Sequence, residues 1–176
     1  NIFPSASLTK NLEGKIMTEF GLLQRKGIIA FTDGLKTIQN SLLMSRIMRS
    51  AGDLDALIMQ HAEDYNLSKN GIVNNSIVAT KLGLPGIPDI SEKIIIERDL
   101  TLLNEYSCRY HISQISSRKS IEVIERNRQE LNFTAGVSIN NISINENDID
   151  DFRTFLKLSP PIRSEQDRVE IVNAIK

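Results

Sequence analysis

CRYHISQIS, residues 108–116, alternates apolar with polar side chains over most of its length and has helix-like patterns on both sides. Alternation of this kind is typical of a strand with a buried face. The segment contains His111, one of the chain's 2 histidines, and Gln114 follows it closely. The segment therefore fits a metal site, the edge of a ligand pocket, or a buried strand with two hydrogen-bonded polar side chains.

Three other short segments have the same strand-like character: GIIAF (27–31), DALIMQ (55–60) and NFTAGVSI (132–139). Helical spacing of apolar residues is predicted over residues 9–26, over 40–52, over 89–103, after residue 117 and after residue 164. The predicted helix-start residues are Asn40 or Ser41, Asp89 with Glu92, Ser117, and Ser164 with Asp167, and the predicted stops are Gly27 and Gly52. Because strand and helix patterns alternate with no run of consecutive strands, the sequence predicts parallel βα units.

Polar residues follow the predicted strands where each strand ends. They are Asp33, His61 with Glu63 and Asp64, Gln114, and Asn140 with Asn141. A (β/α)₈ barrel builds its site from such strand ends on one rim. The Gly-rich phosphate-binding turns of open dinucleotide-binding sheets, GxGxxG and GxxxxGK[ST], do not occur in the sequence. We therefore predict a barrel, and because a complete barrel takes about 250 residues, the chain is expected to be a piece of one.

Composition narrows the classes of function. With 176 residues and 40% hydrophobic side chains, the chain can bury a substantial core. The net charge of -1 and the scattered Lys and Arg residues argue against a nucleic-acid or anionic-lipid surface. The longest apolar runs are far shorter than the roughly 20 residues of a membrane span, and the N-terminal segment does not resemble a signal peptide. With the single Cys108, these features predict a cytoplasmic protein.

Five segments, taken in order, resemble the dihydroorotase family of the cyclic amidohydrolases. They are LTKNLEGKIMTEFGLLQRKGIIAFTDG (8–34), LIMQHAED (57–64), LGLPGIPDISE (82–92), HISQISSRKSIEVI (111–124) and KLSPPIRSEQDR (157–168). The resemblance runs from about Pro4 to the C-terminus. It implies an α/β fold, a partial (β/α)₈ TIM barrel of the amidohydrolase type that covers about strands 3 to 7. Residues 1–176 would form a single domain that lacks the first two strands and the eighth.

The resemblance also implies a chemistry, the reversible cyclisation of N-carbamoyl-L-aspartate to dihydroorotate in pyrimidine biosynthesis. By this comparison Asp33 matches the fourth-strand metal ligand and His61 the fifth-strand histidine. Gln114, in QISS, stands where the family's His-Val-Ser-Thr motif has its metal-binding histidine. A Gln amide nitrogen has no lone pair to offer, and its carbonyl oxygen is a weak neutral donor. The expected cofactor is zinc if the protein is active, and none otherwise.

Three further positions are implied to bind substrate: Asn141, Ser159 and Arg163. Two of them depart from the family pattern. Ser159, in SPPIR, replaces the Asn of Asn-Pro-Pro-Leu-Arg, and Asn141 stands where active relatives often have histidine. The catalytic residue stays unknown, because the family's eighth-strand Asp has no counterpart in the chain.

Each of these residues also has a simpler interpretation. Asp33 fits a helix or turn cap, and His61 fits a hydrogen-bonded residue at the barrel rim. Glu63 and Asp64 fit exposed loop carboxylates as well as an acid and a base. Arg163 fits a surface ion pair. His111 is expected on the strand face opposite Gln114, as a structural, hydrogen-bonded histidine.

Two hypotheses follow. The first is a dihydroorotase whose full-length chain supplies the missing ligands; LGLPGIP and PPIR favour this specificity over hydantoinase or allantoinase. The second is a noncatalytic dihydroorotase-like protein that acts as a structural partner of aspartate carbamoyltransferase, and Gln114, Ser159 and Asn141 favour it. The segment alone is predicted to be inactive. Its unpaired strand edges predict association, so we expect a homo-oligomer or a larger assembly.

Overall fold

A computed structural model describes residues 2–149 and 152–176. The strands are β1 (Ser5–Ala6), β2 (Ala30–Phe31), β3 (Leu57–Gln60), β4 (Val73–Asn74), β5 (Gly86–Ile87), β6 (Arg109–Ile115) and β7 (Phe133–Val137). The α-helices are α1 (Phe20–Gln24), α2 (Ser41–Asp53), α3 (Tyr65–Ser68), α4 (Ile77–Leu82), α5 (Ile90–Tyr106), α6 (Arg118–Asn127), α7 (Ile139–Ser143) and α8 (Glu165–Ile175). Short 3₁₀ turns cover Lys10–Leu12, Glu146–Asp148 and Thr154–Leu156.

The main sheet has five strands in the order β1-β2-β3-β6-β7. Every neighbouring pair in it is parallel. Since parallel neighbours need crossover connections, helices α2, α5 and α6 pass over one face of the sheet and bury it. The predicted α/β class and the partial barrel are thus confirmed, whereas the domain boundaries stay a prediction.

The core lies between this sheet and its helices. Helix α2 contributes Met44, Ile47, Met48 and Ala51, which recur at helical spacing and are buried. Asn40 begins the helix as predicted, because its side chain accepts a hydrogen bond from the backbone N–H of Leu43 at 2.9 Å. The helix ends at Asp53, one residue beyond the predicted stop.

A second, two-stranded sheet pairs β4 with β5, also in parallel. It carries its own apolar cluster of Val73, Ala79, Ile149 and Ile162. Sequence periodicity did not find this sheet, because two-residue strands are too short to show an alternating pattern.

The helix predicted over residues 9–26 is wrong. In its place stand a 3₁₀ turn at Lys10–Leu12 and the short helix α1. A reverse turn joins them, closed by a bridge between Thr9 and Met17 and by the hydrogen bond from Lys10 N to Ile16 O at 2.8 Å. Gly14, at φ 65, permits the turn, and Ile16 is exposed instead of lying on a buried helical face.

Glu92 also departs from its predicted role as part of an N-terminal pair on α5. Its carboxylate is buried and accepts hydrogen bonds from the backbone N–H of Ser116 at 2.9 Å and of Ser117 at 3.2 Å. Asp89, the helix-start residue, makes no side-chain cap. Glu92 therefore ties α5 to the end of β6.

Candidate functional site

Three of the predicted site residues lie at one edge of the main sheet. β2, β3 and β6 are successive, parallel neighbours, so their carboxyl ends meet at the same edge. Asp33 follows β2, His61 follows β3 directly, and Gln114 is the last residue but one of β6. Sequence order alone places these side chains far apart, and the sheet topology gathers them.

Asp33 is buried, with 3% of its surface exposed. One carboxylate oxygen accepts the backbone N–H of Thr9 at 3.0 Å, and the other accepts the Thr9 hydroxyl. Thr9 follows the edge strand β1, so Asp33 fastens the start of the chain to the end of β2. Both of its oxygens are thus engaged with the protein, and its side chain caps neither a helix nor a turn.

His61 is also buried, with 2% exposed. Its Nε2 lies 3.2 Å from Ser159 Oγ and 3.5 Å from Glu63 Oε2. Its Nδ1 is buried and has no hydrogen-bond partner among the described residues. The contact with His61 lowers the pKa of the Glu63 carboxyl below its usual value, and Ser68 and the positive charge of Arg163 add to this.

Hydrogen bonds join the loops that follow β2 and β3 beside these residues. The Thr37 hydroxyl donates to the carbonyl of His61 at 2.6 Å and accepts the backbone N–H of Glu63 at 3.0 Å. Gln39 Nε2 donates to the carbonyl of Glu63 at 2.9 Å. A cleft of about 430 Å³ opens between the two loops, and Asp33 and Glu63 are among its lining residues. The cleft is large enough for a small polar ligand.

Gln114 occupies a β-bulge. Ile112 pairs with Ala135 and Ile115 with Val137, so β6 has one residue more than β7 between these pairs. Ile112 and Ile115 consequently share one core although they stand three positions apart. The buried Oε1 of Gln114 has no hydrogen-bond partner in the part of the chain that the structure describes.

His111 is hydrogen-bonded, as predicted: its Nδ1 lies 2.7 Å from the Thr134 hydroxyl of β7. The predicted placement of His111 on the strand face opposite Gln114 is wrong, because the bulge breaks the strict alternation of side chains along β6. Partial burial lowers the pKa of His111 below its usual value.

The three predicted substrate-binding residues differ in their surroundings. Ser159 is exposed and touches His61. Asn141 is buried, and its Nδ2 donates to the carbonyl of Pro161 at 3.1 Å. Arg163 is buried, with its guanidinium bonded to Ser116, to Asn74 and to the Ile87 carbonyl, which excludes the surface ion pair. Their substrate roles stay predictions, and these contacts favour a structural role for Arg163.

The side-chain atoms at this edge offer a partial set of ligands for a metal ion. Within residues 2–149 and 152–176, no cluster of three His, Cys, Asp or Glu side chains is arranged to hold a metal. Two buried polar atoms, His61 Nδ1 and Gln114 Oε1, nevertheless have no hydrogen-bond partner among the described residues. They follow the paired residues Gln60 and Ile112 of neighbouring strands. An imidazole nitrogen and an amide oxygen left without donors fit a cation as a partial ligand set.

Sequence patterns missed a buried polar cluster just beneath His61. Asp99 of α5 is fully buried and accepts hydrogen bonds from Gln60, from Arg98 and from the Tyr110 hydroxyl at 2.6 Å. Burial raises the pKa of both Asp99 and Tyr110 above their usual values. A charged residue in the middle of a helix does not by itself indicate a buried polar cluster, because its partners are distant in sequence.

A parallel sheet with helices on one face and polar side chains at the carboxyl edge defines a barrel-type α/β protein. The structure matches the L-hydantoinase (dihydropyrimidinase) of Arthrobacter aurescens with a TM-score of 0.73 and 18% identity, over 94% of this chain and 38% of that one. It matches the D-hydantoinase of a Thermus species with a TM-score of 0.70 and 14% identity, over 97% of this chain and 39% of that one. These likenesses show the fold.

Sequence comparison is more specific. The family described as Dihydro-orotase-like matches residues 1–120, and the chain belongs to this family. A dihydroorotase of Ehrlichia canis (strain Jake) is 39% identical over 178 aligned positions, which take in 100% of this chain and 39% of the relative. A dihydroorotase of Syntrophus aciditrophicus (strain SB) is 38% identical over 168 positions, 95% of this chain and 39% of the relative. The chain thus spans about two fifths of the length of the curated relatives that it matches.

No helix within the described ranges is long and apolar enough to cross a membrane.

Proposed function

We propose that the protein is a dihydroorotase, which closes N-carbamoyl-L-aspartate to dihydroorotate and reopens it, in the cytoplasm. The observation that best supports this proposal is the buried His61, which lies at the edge where β2, β3 and β6 end. Its Nδ1 has no hydrogen-bond partner among the described residues. Family membership and the two dihydroorotase relatives support the choice of substrate. The substrate itself is a small anion, and the cleft lined by Asp33 and Glu63, on the loops that follow β2 and β3, suits its size.

The proposed cofactor is zinc, held by His61 and Gln114 together with ligands from the rest of the full-length protein. A zinc ion bound there would supply a nucleophile from water near neutral pH and would polarise the carbonyl that is attacked. With Gln114 as a ligand, the site would bind zinc more weakly than with histidine at the same place, because a neutral amide oxygen is a poorer zinc donor than imidazole.

The residues of the chain itself orient these groups. Ser159 and Glu63 hold the Nε2 side of the His61 ring, which leaves Nδ1 directed away from them. Thr37 fixes the backbone of His61 through its carbonyl. The buried Asp33 keeps the neighbouring strand end in place through Thr9.

The test uses the full-length protein, its turnover of dihydroorotate and its zinc content. Gln114→His is expected to raise zinc affinity, since it places an imidazole donor where a neutral amide oxygen stands. His61→Ala is expected to abolish both turnover and zinc retention. As a matched control, His111→Gln removes the other histidine and is expected to leave zinc content unchanged. Full turnover by the His61→Ala variant contradicts the proposal.

A noncatalytic scaffold is the second candidate, in which the protein is a structural partner of aspartate carbamoyltransferase. Gln114 at the predicted ligand position and the engagement of both Asp33 oxygens by Thr9 favour it. The full-length protein would then retain no stoichiometric zinc and would co-elute with aspartate carbamoyltransferase in size-exclusion chromatography. Stoichiometric zinc together with turnover rejects this second candidate.

A further inference from the structure

Arg163 is the centre of a buried polar network that crosses between the two sheets. It is 3% exposed. Its Nε donates to the Ser116 hydroxyl at 3.1 Å, and its Nη1 donates to Asn74 Oδ1 at 2.9 Å and to the Ile87 carbonyl at 2.7 Å. Arg163 therefore connects the end of β6 in the main sheet with both strands of the small sheet.

Two glutamates balance this buried cation through neutral relays. Ser116 accepts from Arg163 and donates its hydroxyl proton to Glu92, which is itself 2% exposed. Asn74 accepts from Arg163 and donates through Nδ2 to Glu146 Oε2 at 2.5 Å. A buried charge needs compensation, and the two relays supply it without placing a carboxylate directly on the guanidinium.

The same network holds the segment that carries Ser159. Arg163 ends the run Pro160, Pro161, Ile162, all buried. Ile162 packs in the apolar cluster of the small sheet. The carbonyl of Arg163 also accepts the backbone N–H of Glu146 at 2.8 Å. Both the side chain and the backbone of Arg163 thus fix the end of the segment at whose start Ser159 meets His61.

We propose that Arg163 is a positioning residue that sets Ser159 against His61. Its Nε and Nη1 donate to three protein acceptors on different elements. A planar guanidinium can reach several acceptors at fixed angles, whereas a Lys ammonium is a single point charge that cannot reproduce the fork. The proposal concerns the geometry at His61, so it stands or falls separately from the hydrolase activity.

The test is an NMR measurement of the imidazole signals. In the full-length protein, His61 reports on the contact and His111, bonded to Thr134, serves as an internal reference; each signal is assigned by its loss in His61→Ala or His111→Gln. Ser159→Ala defines the change in the His61 signals when the hydroxyl is lost. Arg163→Lys is expected to shift the His61 signals in the same direction, with His111 unmoved. The matched control is Arg168→Lys, an arginine of α8 that pairs with Glu165 and is expected to leave both signals in place.

A double variant makes the result specific. In the Ser159→Ala background, Arg163→Lys is expected to cause no further shift at His61, because the contact through which it acts is gone. An unchanged His61 signal in the single Arg163→Lys variant overturns the proposal, and so does a shift that persists at full size in the double variant. If Arg163→Lys does not fold, Ser116→Ala removes the bridging hydroxyl of the same relay and is judged by the same two criteria.

Discussion

At the scale of single residues, His61 and Gln114 each bury a polar atom that has no hydrogen-bond partner within residues 2–149 and 152–176. Such an atom costs about 1–3 kcal/mol relative to a hydrogen-bonded one. Two such atoms at the ends of paired strands lower the stability of the folded state. Under the proposed function, a cation bound by these two atoms would offset this cost.

His111 offers a test of electrostatics that does not depend on the proposed activity. Burial lowers its folded-state pKa below the usual value of 6.5. The folded state then binds fewer protons than the unfolded state, so His111 contributes stability above pH 6.5 that is lost as pH falls through its folded pKa. The free energy of unfolding of the wild type is therefore expected to fall relative to His111→Gln as pH is lowered toward 5.

An NMR titration of the His111 ring gives the corresponding midpoint, expected below 6.5. Chemical denaturation of the wild type and of His111→Gln at several pH values gives the two free energies. A midpoint above the usual value, or parallel pH profiles of the two proteins, would contradict this assignment.

The identity of the residues at the sheet edge could be predicted from sequence, but their partners could not. Asp33, His61 and Gln114 follow strand-like segments, and parallel topology brings strand ends together. Thr9, which engages Asp33, and Ser159, which touches His61, are 24 and 98 residues distant from their partners. Hydrogen bonds over such separations leave no periodic signal in a single sequence.

At the scale of elements, the close approach of β6 and β7 at the bulge depends on a glycine. A Cβ added at Gly136 would lie 2.8 Å from the Ser113 carbonyl oxygen and 3.3 Å from His111 Nε2. Because the first contact is with backbone, Gly136→Ala is expected to destabilise the protein by about 1–3 kcal/mol. Gly21, in α1, is the matched control, since its added Cβ would make only an ordinary contact at 4.0 Å with Leu54.

Gly21→Ala is expected to stabilise the protein by about 0.5–1 kcal/mol, because alanine loses less backbone entropy in a helix. Urea denaturation of both variants measures the two effects. Equal changes of the same sign would show that the bulge does not require glycine.

The start of α8 was predicted from sequence and is confirmed. The Ser164 side chain accepts the backbone N–H of Asp167 at 3.2 Å, and Asp167 accepts that of Ser164 at the same distance. Asp167 also accepts the backbone N–H of Arg118, the first residue of α6, at 2.9 Å. Ser164→Ala is therefore expected to cost about 1 kcal/mol, a typical value for a lost N-cap.

Asp167→Ala is expected to cost more, about 2–3 kcal/mol, because it leaves donors of two helices without their charged acceptor. Thermal or urea denaturation orders the two variants. Gln166→Ala, an exposed neighbour in the same turn, is the control and is expected to change stability by less than about 0.5 kcal/mol. An Asp167→Ala variant as stable as Ser164→Ala would show that the contact with α6 contributes nothing.

The elements show where local patterns succeed. α2, α6 and α8 carry caps and apolar faces within their own sequence, so periodicity and cap residues locate them. The stretch 9–26 has helical spacing by chance, and the contact of Thr9 with Asp33 overrides it. Tertiary hydrogen bonds of this kind decide the outcome wherever local preference is weak.

At the scale of the whole molecule, the five-stranded sheet ends at β1 on one side and at β7 on the other. Within the described residues, each of these strands has one neighbour only. In a closed barrel both edges would be paired, and a free edge is a template for another chain. The hydantoinases that share the fold are matched over less than two fifths of their length, so those chains extend beyond the part that matches this sheet.

We therefore expect the 176-residue chain to self-associate in a concentration-dependent way, with β7 as the longer free edge. Ala135, an exposed residue in the middle of β7, is the position to test. Ala135→Lys places a charge on the edge strand, where like charges repel between copies, and is expected to shift the protein toward smaller species. Thr101→Lys adds the same charge to the exposed side of α5 and is expected to have no effect. Sedimentation velocity over a range of concentrations measures the distribution, and a wild type that stays monomeric throughout would contradict edge-mediated association.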